Sequence, residues 1–149
     1  MMHMSMQPAF IVKEIDWRAG APALRGVRMK VFVEEQGVPE TLEWDGLDES
    51  SSHVIAVASD GAPIGTGRLL RDGHIGRMAV LKEWRGKGVG SRLLELLLAV
   101  AGSKGFAQVE LHAQVHAIGF YASHGFRVAG SEFMEAGIPH VVMSRSSPG

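Results

Sequence analysis

Positions 85–91 read Arg-Gly-Lys-Gly-Val-Gly-Ser, a run whose residue types and spacing suit anion binding. Glycines let a backbone turn sharply and bring its N–H groups against a ligand. Downstream, Leu93, Leu94, Leu97, Leu98 and Ala101 share one helical face. A helix starting here leaves its first N–H groups unpaired, with the positive end of its dipole beside them. Arg85 and Lys87 add charge and Ser91 a hydroxyl, which together describe a phosphate site. It is not a P-loop, because Gly88 rather than Ser or Thr follows Lys87. It is not G-x-G-x-x-G either: counting from Gly86 the third position is Ser91, and from Gly88 it is Leu93.

Groups able to move protons lie elsewhere. Tyr121 is the only tyrosine. A phenol of pKa ~10 stays protonated at neutral pH and can donate to a basic leaving group, although the residue type fits an amphipathic core position equally well. Glu35, His112 and His140 are candidate proton acceptors, and Glu35, Glu43, Asp45 and His116 are candidate acceptor-substrate contacts. By type alone these carboxylates also fit a solvated face, and the histidines structural hydrogen bonds. The His112-x-x-x-His116 spacing suits a metal pair only on one continuous helix face. Here it straddles a strand end and a loop, so no metal site is expected.

The elements that must position these groups follow from periodicity. A strand is predicted over residues 10–15, and a helix through residues 24–32 framed by Pro22 and Gly37. Residues 38–52 read as an irregular acidic loop. Strands over 53–58, 64–70 and 74–81 form a meander through turns at Asp60-Gly61 and Asp72-Gly73. Gly65 and Gly67 in its middle strand predict a bulge or a close backbone approach. A helix over 91–104 ends at Gly105. A strand over 107–113, a short helix over 116–124 and strands over 127–133 and 138–144 complete the chain. This order predicts one mixed α/β domain over residues 1–149, frayed at 1–8 and 146–149.

Composition narrows the class. Of 149 residues 46% are hydrophobic and 21% charged, which supports a core and excludes compositional disorder. With no cysteine, disulfides, thiolate zinc sites and cysteine nucleophiles are excluded. A net charge of −1 argues against nucleic acid as partner. No membrane span or signal peptide is legible, so a cytoplasmic protein is expected. Residues 31–67 carry eight acidic side chains and no Lys or Arg, whereas residues 68–104 carry eight basic against three acidic. The first stretch favours a cationic partner and the second an anionic one.

Arg85-Gly-Lys-Gly-Val-Gly90 is similar to the R/Q-x-x-G-x-G/A signature of the GCN5-related N-acetyltransferase (GNAT) superfamily. Ala117-Ile-Gly-Phe-Tyr-Ala-Ser-His-Gly-Phe126 resembles the family's A-x-x-x-Y-x-x-x-G-F element, in the expected order downstream. The run from Arg28 to Gln36, the segment from Glu43 to Asp48, His112-Ala-Gln-Val-His116 and Gly137-Ile-Pro-His140 resemble the ElaA/YjcF-like branch. The early segment is also similar to acyl-homoserine-lactone synthases, which share the fold. The resemblance covers about residues 25–145. It implies a twisted mixed sheet flanked by helices, with two central parallel strands (residues 74–81 and 107–113) splayed to admit acetyl-CoA. Met78, Ala79 and Val80 would meet the pantetheine arm. Arg85, Gly86, Lys87, Gly88, Val89, Gly90 and Ser91 would hold the pyrophosphate, and Gln114, Phe120 and Tyr121 would border the cofactor. Tyr121 would be the general acid, and Glu35, His112 or His140 the base. An amine acceptor, small molecule or peptide, is implied, and a homodimer is expected. Two other readings stay open: a non-catalytic acyl-CoA-binding domain, and an enzyme using another acyl donor. Arg77 is expected to pair with the acidic loop rather than with CoA.

Overall fold

A computed structural model of the chain describes residues 9–146; of the expected frayed ends, 1–8 and 147–149 lie outside the described residues. Ser146 closes the last strand. The elements run β1 (Phe10–Ile15), α1 (Trp17–Arg28), α2 (Glu40–Glu43), β2 (Ser52–Ala58), β3 (Pro63–Leu69), β4 (His74–Val80), α3 (Val89–Ser103), β5 (Gln108–Gln114), α4 (Ile118–Ser123), β6 (Arg127–Val128), β7 (Phe133–Glu135) and β8 (Ile138–Ser146). The strands form one eight-stranded sheet in the order β1-β2-β3-β4-β5-β8-β6, with β7 also on β8. Every pairing is antiparallel except β4 with β5.

Three expectations change. The first helix begins at Trp17, because the Asp16 carboxylate caps the Arg18 N–H at 3.2 Å. Pro22 therefore lies inside it, and the helix continues as π-helical turns over Met29–Glu35. The acidic loop contains a short helix, α2. The strand expected over 127–133 divides into β6 and β7, which pair with different stretches of β8.

Period-two alternation sorts β2 between two faces. Ile55 packs with Trp17 and Leu24 of α1. Val54 and Ala56 join the main core under α3, whose Leu93, Leu94 and Leu97 are fully buried. Each buried leucine contributes about 2 kcal/mol relative to exposure. β5 alternates likewise: Val109, Leu111 and Ala113 are in the core, while Glu110, His112 and Gln114 face away from it.

Gly65 and Gly67 are where α3 comes closest to the sheet. A Cβ on Gly65 would lie 2.9 Å from Leu93 Cδ1, and one on Gly67 would lie 2.7 Å from Leu97 Cδ1. The β3–β4 register shifts between Thr66 and Arg68, so both the close approach and the irregularity expected of these glycines are present. On β4 the extra residue is accommodated at Arg77, whose φ of 50° is left-handed. Such a residue costs about 1–2 kcal/mol. The Thr66 hydroxyl, donating to Arg77 O at 2.9 Å, helps hold it there. We expect Gly67→Ala to destabilise the fold by about 1–3 kcal/mol through overpacking against Leu97, Met78 and Val54, read as a lower urea midpoint.

Candidate active site

β4 and β5 are partners at only two positions, His74 with Glu110 and Ile75 with Leu111. Beyond them the strands separate, as the splayed pair was expected to do. The gap belongs to a cleft of about 1220 Å³. Leu81 donates its N–H to Ile64 O on the β3 side at 2.9 Å. By alternation, the main-chain groups of Met78 and Val80 point the other way, into the gap. Ala79 is the buried residue between them.

The glycine run forms the cleft wall next to β4. Gly86 and Gly88 have φ of 75° and 85°, values that only glycine adopts without strain. Gly88 precedes α3 and supplies no side-chain cap, so the helix presents its first N–H groups bare. Gly86, Gly88, Val89, Gly90 and Ser91 all line the cleft. Phe120 lies where a Cβ on Gly90 would sit at 3.4 Å, which brings α4 against the start of α3. Lys87 is exposed.

Arg85 is engaged differently. Its guanidinium makes a two-pronged pair with Glu35, both contacts 2.6 Å, and its Nε donates to Val80 O at 3.0 Å. The Glu35 carboxyl is held below its ordinary value chiefly by that Arg85 hydrogen bond, against a smaller opposing effect of burial. Both its oxygens are occupied, which weakens Glu35 as a proton acceptor.

Tyr121 lines the cleft and meets Phe120 and Phe126 edge-on. Burial pushes its phenol up to about 12, so the proton stays on at neutral pH. Gln114 donates to Gln36 Oε1 at 2.9 Å and accepts from His116 Nε2 at 2.7 Å. His140, the β8 partner of Gln114, is 6% exposed. Its Nδ1–H donates to Ile138 O at 2.6 Å, which leaves Nε2 as an acceptor, 3.7 Å from Glu135 Oε2. His112 Nδ1 lies 2.9 Å from Glu135 Oε1. The sequence did not show Gln36 and Glu135 as site residues, because each is recruited by a residue distant along the chain.

Three carboxylates of the acidic loop are tied to arginines, and two of them, Glu43 and Asp48, are buried. Arg28, 1% exposed, bonds Glu43 at 2.8 Å and Asp48 at 2.7 Å. Arg68 bonds Asp45 at 2.8 Å and Asp48 at 3.1 Å. Arg77 pairs with Glu43 at 3.0 Å and Asp45 at 3.2 Å, as expected of it. Trp17 and Trp44 lie on the Arg28 guanidinium at 5.9 and 5.1 Å. Three arginines thus match three carboxylates. Glu43 and Asp45 border the cleft with their charge already balanced, so the acidic run no longer favours a cationic acceptor.

This network fixes a pH dependence. Burial raises the Asp45 pKa, but Arg68, the Leu47 N–H and Arg77 outweigh it and hold the group at about 2. Asp48 is lowered by Arg28 and Arg68 against a larger single effect of burial. Depressed carboxylates contribute stability that is full above their unfolded values and lost as pH falls through the folded ones. We therefore expect the urea midpoint to fall between about pH 4 and pH 2, and Asp45→Asn to flatten that fall.

Comparison with known proteins follows this geometry. Residues 20–147 match the family model described as an acetyltransferase (GNAT) domain. The chain is 40% identical over 123 residues to the N-acetyltransferase YjcF of Bacillus subtilis, covering 80% of this chain and 87% of that one. The structure of Escherichia coli ElaA superposes with a TM-score of 0.82 at 29% identity, over 91% of this chain and 99% of that one. An acyl-CoA N-acyltransferase from Pseudomonas aeruginosa superposes with the same TM-score, 0.82, at 31% identity, over 92% and 99% of the two chains. The chain belongs to the GNAT acetyltransferase family, in its ElaA/YjcF-like branch, and is an acyltransferase that draws its acyl group from an acyl-CoA.

Proposed function

We propose that the chain transfers an acetyl group from acetyl-CoA to a primary amine, by direct attack with both substrates bound. The observation that carries this reading is the β4–β5 gap, bordered by bare α3 amides and by the protonated Tyr121 phenol. Acetyl-CoA supplies a thioester carbonyl and a thiolate leaving group. The Gly86 and Gly88 turns and the start of α3 bind the pyrophosphate, with Lys87 alongside. The Met78 and Val80 main chain holds the pantetheine arm and the carbonyl oxygen. Tyr121 gives its proton to the departing sulfur. The absence of cysteine removes a thiol-borne acyl-enzyme and favours direct transfer.

A lysine-like amine of pKa ~10.4 is only about 0.04% free base at pH 7, so a proton acceptor is needed. His140 is the base we favour. The Ile138 carbonyl fixes its tautomer, and its strand partner Gln114 lines the same cleft. Glu35 is committed to Arg85, and His112 meets Glu135 at hydrogen-bond distance, 2.9 Å, whereas His140 Nε2 stands 3.7 Å from it. His116 lies exposed at the rim beside Gln114, on the path of an incoming amine.

Two variants and a thiol-release assay test this reading. With acetyl-CoA and a panel of primary amines, release should depend on the added amine. Tyr121→Phe should lower kcat by about 100-fold or more with acetyl-CoA affinity kept, and His140→Gln should do so by a similar factor. No release with any amine, or full turnover in both variants, overturns it. Gly88→Ala, which forces a side chain to the left-handed φ of 85°, should raise the acetyl-CoA KM by about tenfold with a smaller effect on kcat.

A further inference from the structure

We propose that His74, Glu110 and His112 bind one divalent ion of the zinc type at the closed end of the cleft. Two of the three residues come from the place where β4 and β5 pair, and His112 lies one residue beyond it. His74 and Glu110 are register partners there. Glu110 and His112, two apart on β5, share a face. One donor atom from each of the three lies within 4.8 Å of the other two.

The distances are also within reach of a shared ion. His74 Nε2 lies 3.0 Å from Glu110 Oε1. Two ligands each about 2.1 Å from a tetrahedral ion stand about 3.4 Å apart, so a small opening of this pair admits one. A second carboxylate lies near each imidazole: Asp72 Oδ1, which accepts the His74 backbone N–H, is 2.9 Å from His74 Nδ1 without forming a hydrogen bond to it, and Glu135 Oε1 is 2.9 Å from His112 Nδ1. Carboxylates behind metal-bound histidines orient the ring and raise its basicity. The His112 side chain is partly exposed, which leaves its ring room to adjust to an ion.

Two imidazoles and one carboxylate select zinc or cobalt over magnesium or calcium, which prefer all-oxygen shells. Three protein ligands leave a fourth position to water. His74 and His112 both line the cleft, so that position opens toward the acceptor end.

The test is calorimetry on the tag-free, EDTA-treated full chain, with Zn2+ as ligand and Mg2+ as control, and Co2+ absorption as a second readout. We expect a one-to-one zinc isotherm, no heat from Mg2+, and the intense visible bands of four-coordinate cobalt. His74→Ala, Glu110→Gln and His112→Ala should each weaken zinc at least tenfold, and Asp72→Asn or Glu135→Gln about tenfold. Circular dichroism of each variant separates loss of the site from loss of the fold. No zinc binding by the unmodified chain overturns the proposal. So does binding that survives both histidine substitutions in folded protein, since the ion then sits on other residues.

Discussion

The parallel pairing of β4 with β5 stops after two residue pairs, and much of the molecule follows from that interruption. Buried backbone N–H and C=O groups must find partners. On one side of β4 they find them in β3. On the other, beyond Ile75, they face a gap that a ligand can fill as a strand would. The Arg85 contact with Val80 O belongs to this edge. The sheet stays continuous below the gap through His74 and Glu110, and the long β5–β8 pairing carries it past.

An opening of this size needs walls that do not collapse into it. One is α3, drawn close by Gly65 and Gly67. The other depends on Arg28, Arg68 and Arg77, which tie the 43–48 segment to α1, β3 and β4. Taking these charges out of water is costly, and mutual pairing offsets most of that cost. What remains is positional: the three arginines fix where the loop crosses the cleft edge. The stacked Trp17 and Trp44 rings add a flat support on which Arg28 cannot swing.

How much was legible in the sequence depended on how local each signal was. The glycine run, the α3 face and the Tyr121 element are contiguous motifs, and they lie where they were expected. The two glycines of β3 announced both the close approach and the irregular register. Arg77 was matched to the acidic loop correctly. By contrast, the sequence could not show that Glu43 and Asp48 of this loop are buried, because their partners lie 15 to 35 residues away. It could not align His74 with Glu110 either, since parallel register is set by packing across a helix-long crossover. Glu135 was invisible for the same reason. The Asp16 cap was legible but overlooked, because Pro22 offered a more familiar helix start.

β5 and β8 carry core and chemistry on alternate residues. Val109, Leu111 and Ala113 are buried beside Val141 and Met143, while His112, Gln114 and His140 line the cleft. A slip of one residue in either strand would exchange the two sets. Polar side chains would enter the hydrophobic core at the same moment that the histidines left the cleft. Misregistered chains are therefore poorly folded rather than folded and inert, and cellular quality control that senses exposed apolar surface also, in effect, inspects the active site.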